Sequence, residues 1–103
     1  MLTFLKKLFG GSSVDYKALV ENGAVIIDVR STGEFRSGHV KGSKNYPLDQ
    51  LRSKVNEIKK LNKPIITVCL SGGRSSAAKS ILAAAGVEVY NGGGWASFQR
   101  KLL

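Results

Sequence analysis

The run Pro64-Ile-Ile-Thr-Val-Cys69 is short, apolar and β-branched, and it reads as a buried strand. It passes at once into Leu70-Ser-Gly-Gly-Arg74. A small-residue helix follows, carrying Ala77, Ala78, Ile81, Leu82 and Ala85 and ended by Gly86. A strand that delivers its last residue through a glycine loop into a helix is a fragment of an α/β layout. The rest of the chain must then supply partner strands and covering helices.

It does. Ser12 or Ser13 can cap a helix from Val14 to Asn22, with Gly23 ending it. Ala24-Val-Ile-Ile-Asp28 is a second apolar run of strand length, and Ser31 or Thr32 starts a helical turn through Glu34 and Phe35. Leu48, Leu51, Val55, Ile58 and Leu61 recur at helical spacing and predict one amphipathic helix, stopped at Asn62-Lys63-Pro64. Val87-Glu-Val-Tyr90 predicts a third strand. Asn91-Gly-Gly-Gly94 reads as a turn into a last helix, with Trp95 and Phe98 as core anchors. Strands alternating with helices indicate a mostly parallel central sheet. Ligands of such sheets bind beyond the C-terminal strand ends, where Cys69 sits.

The loop after Cys69 favours a thiolate. Gly72 and Gly73 let the backbone turn tightly, the N–H groups of the following helix start converge on one point, and Arg74 adds a full charge. Such surroundings lower a thiol from about 8.5 to about 3.5–7.5. Two chemistries use a thiolate in an anion cradle: attack on phosphorus and attack on a sulfane sulfur.

Cys69-Leu-Ser-Gly-Gly-Arg74-Ser75 resembles the rhodanese active-site loop C-x-x-G-x-R. Cysteine-dependent phosphatases place five residues between Cys and Arg. Here four intervene, and Ser75 stands where that Arg would fall. The shorter loop makes a tighter cradle, better suited to sulfur than to a tetrahedral phosphate. Upstream, Asp28-Val-Arg30, Glu34-Phe35 and Gly38-His39-Val40-Lys-Gly42-Ser43 resemble the family's D-V-R, E-[YF] and G-H-[IV]-x-G-A. Lys41 and Ser43 depart from the commonest Pro and Ala. Gly93-Gly94-Trp95 with Phe98 resembles the terminal G-G-W…W.

The resemblance implies a five-stranded, mainly parallel sheet flanked by helices on both faces. It also implies sulfur transfer through a Cys69 persulfide, from thiosulfate or another small anionic sulfane donor to a thiol or cyanide. Leu70, Ser71, Gly72, Gly73, Arg74 and Ser75 would bind the substrate. Arg30 is expected near the pocket mouth, with Asp28 and His39 bracing loops. No cofactor or metal is implied. A phosphatase or arsenate reductase, or a non-catalytic sulfur carrier or binding module, are the alternatives.

The net charge of +9 suits anionic donors and leaves room for an acidic protein partner, but the lysines form no dense tract that would suggest nucleic acid. One cysteine excludes an internal disulfide and fits a reducing, cytoplasmic setting. Residues 1–12 read as a short basic amphipathic segment, with Leu2, Leu5, Leu8 and Phe9 on one face, ahead of a domain over residues 13–103. They read as neither a signal peptide nor a bilayer span. At 103 residues a single domain and a monomer are expected.

Overall fold

The computed structural model describes residues 14–103, so the expected N-terminal amphipathic segment lies outside the described residues. In chain order the elements are α1 (Tyr16–Glu21), β1 (Val25–Asp28), α2 (Thr32–Arg36) and β2 (Lys44–Asn45). A 3-10 helix (Leu48–Lys54) then runs into α3 (Val55–Lys59). β3 (Ile65–Cys69), α4 (Gly73–Ala84), β4 (Val89–Gly94) and α5 (Trp95–Lys101) complete the order.

The sheet has the order β2-β1-β3-β4, and every pair is parallel. The resemblance implied five strands, and the described residues form four. The only strand-forming apolar runs between residues 14 and 103 are the three already used by β1, β3 and β4, and β2 is a two-residue addition. Parallel strands need covered faces, and the helices supply them. Ile27, Val29, Ile65 and Cys69 pack with Leu51, Ile58, Ala78 and Leu82 on one face. Ile26, Ile66 and Val68 pack with Phe98 and Val40 on the other, beside Tyr16, Leu19 and Trp95. This alternation follows from the two-residue period of a strand. Phe98 is fully buried, whereas Trp95 is only half-buried, so the two do not anchor the core equally.

Three elements differ from expectation. α1 is capped by Asp15, whose Oδ1 accepts from the Ala18 N–H at 3.0 Å, and not by Ser12 or Ser13. The expected helix over 48–61 divides into the 3-10 helix over Leu48–Lys54 and α3 over Val55–Lys59. Asn91–Gly94 is no turn: it is the last four residues of β4, with Gly93 and Gly94 paired to Val68 and Cys69. Val87 instead closes α4 by donating to the Leu82 carbonyl at 3.0 Å.

Among the described residues no helix is long and apolar enough to cross a membrane.

Candidate active site

The C-terminal ends of β1, β3 and β4 lie side by side, and Cys69 is the last residue of the central one. Its side chain is buried, only 1% exposed. The chain then turns over the sulfur. Gly72 takes φ 108°, a left-handed conformation that favours glycine, and in doing so points its N–H at Cys69 Sγ, 3.0 Å away. α4 starts at the next residue.

Ser75, in the first turn of α4 and fully buried, lies on the inner side of the loop. Its Oγ is 3.4 Å from Cys69 Sγ, 3.0 Å from the Gly72 carbonyl and 2.7 Å from Asn91 Oδ1. Its own carbonyl accepts from Thr67 Oγ1 at 2.9 Å, which fastens α4 to β3. Burial pushes the Cys69 thiol up. The hydrogen bonds from Ser75 and from the backbone N–H groups of Ser75, Gly72 and Ser71 together outweigh it and hold the thiol below its ordinary value. The surroundings therefore favour a thiolate.

Arg74 hydrogen-bonds to α2 while its charge still acts on Cys69. Its Nη1 and Nη2 donate to Glu34 Oε1 and Oε2 at 2.7 and 3.0 Å, joining the loop to α2. This fork holds the Glu34 carboxyl at about 2, with help from the N–H of Ser31 in a capping box at the start of α2. Glu34 in turn keeps Arg74 firmly protonated.

Arg30 is not at a pocket mouth. It is 3% exposed, and its Nε and Nη2 grip the Asp28 carboxylate at 2.7–3.0 Å. Nη1 and Nη2 also donate to the carbonyls of Glu34 and Gly38, and the guanidinium lies 4.8 Å over the Trp95 ring. A buried cation must have such partners, so Arg30 holds the loop from α2 to Val40 in place. His39 is exposed, stacks on Phe35 and bonds the Phe35 carbonyl through Nδ1 at 2.7 Å.

Of the loop residues read as substrate-binding, Leu70, Ser71 and Gly73 face outward, Gly72 and Ser75 face the sulfur, and Arg74 faces Glu34. Leu70 is 61% exposed on the rim. A shallow cavity of about 340 Å³ opens beside Arg74, lined by Val29, Ser31, Pro47, Leu48 and Asp49.

Sequence reasoning missed Asn91. Its position follows from β4: the register shifts between Thr67 and Val68, so Gly92 is bulged and Asn91 stands opposite Thr67, on the Ser75 side. Only pairing could reveal this, since an Asn before three glycines reads as a turn.

Residues 12–101 match the family described as Rhodanese-like domain. The chain is 42% identical over 69 residues to uncharacterized protein YqhL of Bacillus subtilis, covering 66% of this chain and 54% of that protein. It is 35% identical over 74 residues to thiosulfate sulfurtransferase GlpE of Ectopseudomonas mendocina, covering 71% of this chain and 67% of that one. The crystal structure of reduced CoADR-RHD from Bacillus anthracis superposes with a TM-score of 0.73 at 36% identity, covering 86% of this chain. The match spans about half the length of the YqhL protein and 16% of the CoADR-RHD chain.

Proposed function

We propose that this chain, which belongs to the rhodanese-like domain family, is a sulfurtransferase in which Cys69 carries the transferred sulfur as a persulfide. One observation supports this most: the Cys69 sulfur lies against the Gly72 N–H, 3.0 Å away, inside a loop with four residues between Cys69 and Arg74. A loop that short suits a second sulfur atom better than a tetrahedral phosphate. The relatives named thiosulfate sulfurtransferase add weight to the same reading.

The Cys69 thiolate attacks the outer sulfur of thiosulfate or a similar sulfane donor. The donor's sulfur–sulfur bond breaks, and sulfite or a thiolate leaves with the bonding pair. The new terminal sulfur carries the negative charge, and the loop N–H groups are the donors that stabilise it. A thiolate acceptor or cyanide then attacks this sulfur, forms a persulfide or thiocyanate, and returns Cys69 as thiolate. No general base is required, because the nucleophile is already ionised. With Cys69 only 1% exposed, the outward-facing rim at Leu70 and Ser71 has to shift before a donor can touch the sulfur. Arg74 serves through Glu34, bracing the loop, and the chain's net charge of +9 draws small anions toward it.

Intact mass after incubation with thiosulfate tests the reading. The protein gains one sulfur atom, loses it to cyanide, and gains none as Cys69→Ala. Failure to load from any sulfane donor overturns it. Turnover of an aryl phosphate that depends on Cys69 would replace it with a phosphatase.

A further inference from the structure

Ser75 has one hydroxyl proton and three neighbours that could take it. These are Asn91 Oδ1 at 2.7 Å, the Gly72 carbonyl at 3.0 Å and Cys69 Sγ at 3.4 Å. The Asn91 amide is oriented with its oxygen toward this cluster, because Oδ1 also accepts from the Gly93 N–H at 2.9 Å. That bond to the residue two positions on is an Asx-type turn built into the bulge of β4. The hydroxyl of Tyr16 donates to the Asn91 carbonyl at 2.8 Å and pins the backbone from the other side. Asn91 is thus held as a fixed acceptor aimed at Ser75.

We propose that Asn91 is a positioning residue for the reacting thiol: its side-chain oxygen competes with the Cys69 sulfur for the Ser75 proton and so limits the help that Ser75 gives the thiolate. In the thiol state every group is satisfied, with Sγ–H donating to Ser75 Oγ and Oγ–H donating to Asn91 Oδ1. When Cys69 loses its proton to solvent, Ser75 can assist the sulfur only by turning its hydrogen away from Asn91. Asn91 therefore taxes the thiolate that the loop N–H groups favour, and the resting site keeps more thiol than the loop alone would leave.

The other groups around the sulfur do not duplicate this control. The charge of Arg74, which acts on Cys69, is shared with Glu34 of α2. β1 presents apolar Ile27 and Val29 on the same sheet face, while its Asp28–Arg30 pair takes the alternate side. β4 brings Gly93 and Gly94 alongside Val68 and Cys69, neither of them charged.

The proposal rests on Cys69 being the reacting thiol, but its test needs no sulfur donor, so a failure to load sulfur leaves it measurable. The test is the pH profile of Cys69 alkylation by iodoacetamide. Asn91→Ala should move the profile to lower pH, with on the order of three- to tenfold more thiolate on its acid side, the factor that one net hydrogen bond is worth. Asn91→Ser, which can keep the Gly93 N–H bond and cannot reach Ser75, should do the same and serves if the alanine variant does not fold. In a Ser75→Ala background the Asn91 substitutions should move nothing. A profile that stays put or moves to higher pH overturns the proposal. So does a shift of equal size without Ser75, which would make Asn91 merely structural.

Discussion

Arg74 and Glu34 meet as a two-bond fork, Nη1 to Oε1 at 2.7 Å and Nη2 to Oε2 at 3.0 Å, across 40 positions of sequence. The fork ties the loop over Cys69 to α2, and the capping box of α2 fixes the carboxylate from behind. The arginine of the loop is therefore committed to a protein carboxylate, and under the proposed chemistry it would act through loop position.

A positioning role and a donor-binding role predict different kinetics. If Arg74 acts through Glu34, then Arg74→Ala and Glu34→Gln should each lower kcat/KM for thiosulfate by about 10-fold, the scale of a small misplacement of reacting groups. The double variant should be no worse than the worse single one, because both remove the same link. Arg74→Lys should not rescue, since an ammonium cannot form the two-bond fork. If Glu34→Gln leaves kcat/KM untouched while Arg74→Ala lowers it, Arg74 binds the donor directly.

The local parts of this arrangement were legible in the sequence and the long-range parts were not. The run ending at Cys69, the turn at Gly72 and the start of α4 are set by neighbouring residues, so pattern alone placed Cys69 at the strand end. Arg30 was expected near the pocket mouth, and the structure buries it. Its burial depends on carbonyls from Glu34 and Gly38 and on the carboxylate of Asp28, which only folding assembles. β4 was cut short for a related reason. Three glycines suggest a turn, yet Gly92 is packed against Ile66, Val68 and Phe98, where a Cβ would come within 2.9–3.0 Å of their side chains. Asn91 gained its place only through that packing.

The same fork makes the site acid-sensitive in a definite direction. Glu34 titrates at about 2 in the folded protein, against an ordinary 4.5. A lowered carboxylate contributes stability that is fully present above the unfolded value and is lost as pH falls toward the folded one. The unfolding midpoint of the wild-type protein should therefore fall relative to that of Glu34→Gln between pH 4.5 and about 2, and the difference should be flat above pH 5. A constant difference across the acid range would mean that the pair contributes nothing through ionisation.

Asp28 and Arg30 present the opposite case, a buried pair whose side chains are 0% and 4% exposed. Asp28→Asn leaves the guanidinium inside the protein with its main counter-charge gone. Breaking such a pair costs about 3–5 kcal/mol. At about 4–8 °C per kcal/mol for a domain of this size, the melting temperature should drop by more than about 10 °C. Below that temperature Cys69 should still alkylate, because Arg30 does not reach the sulfur. A drop of only a degree or two would show that water takes over the role of Asp28.

Two glycines should answer oppositely to alanine, and the contrast isolates the contact between β4 and the loop. Gly33 lies in α2, and a Cβ there meets nothing within 4 Å. Gly33→Ala should stabilise the protein by about 0.5–1 kcal/mol, the helical advantage of alanine, with sulfur loading unchanged. Gly94 has ordinary φ of −70°, so backbone strain is not at issue. A Cβ at Gly94 would lie 2.8 Å from the Leu70 carbonyl oxygen, which is backbone and cannot swing aside. Gly94→Ala must push Leu70 and Ser71 outward, or push β4 away from Cys69. Overpacking of this kind costs about 1–3 kcal/mol. The displaced loop should also take its N–H groups away from the sulfur, so the alkylation profile of Cys69 should move to higher pH. Melting curves and alkylation profiles on both variants decide the matter. A stable Gly94→Ala protein with an unmoved profile would mean that the loop yields freely, and that its grip on Cys69 does not depend on β4.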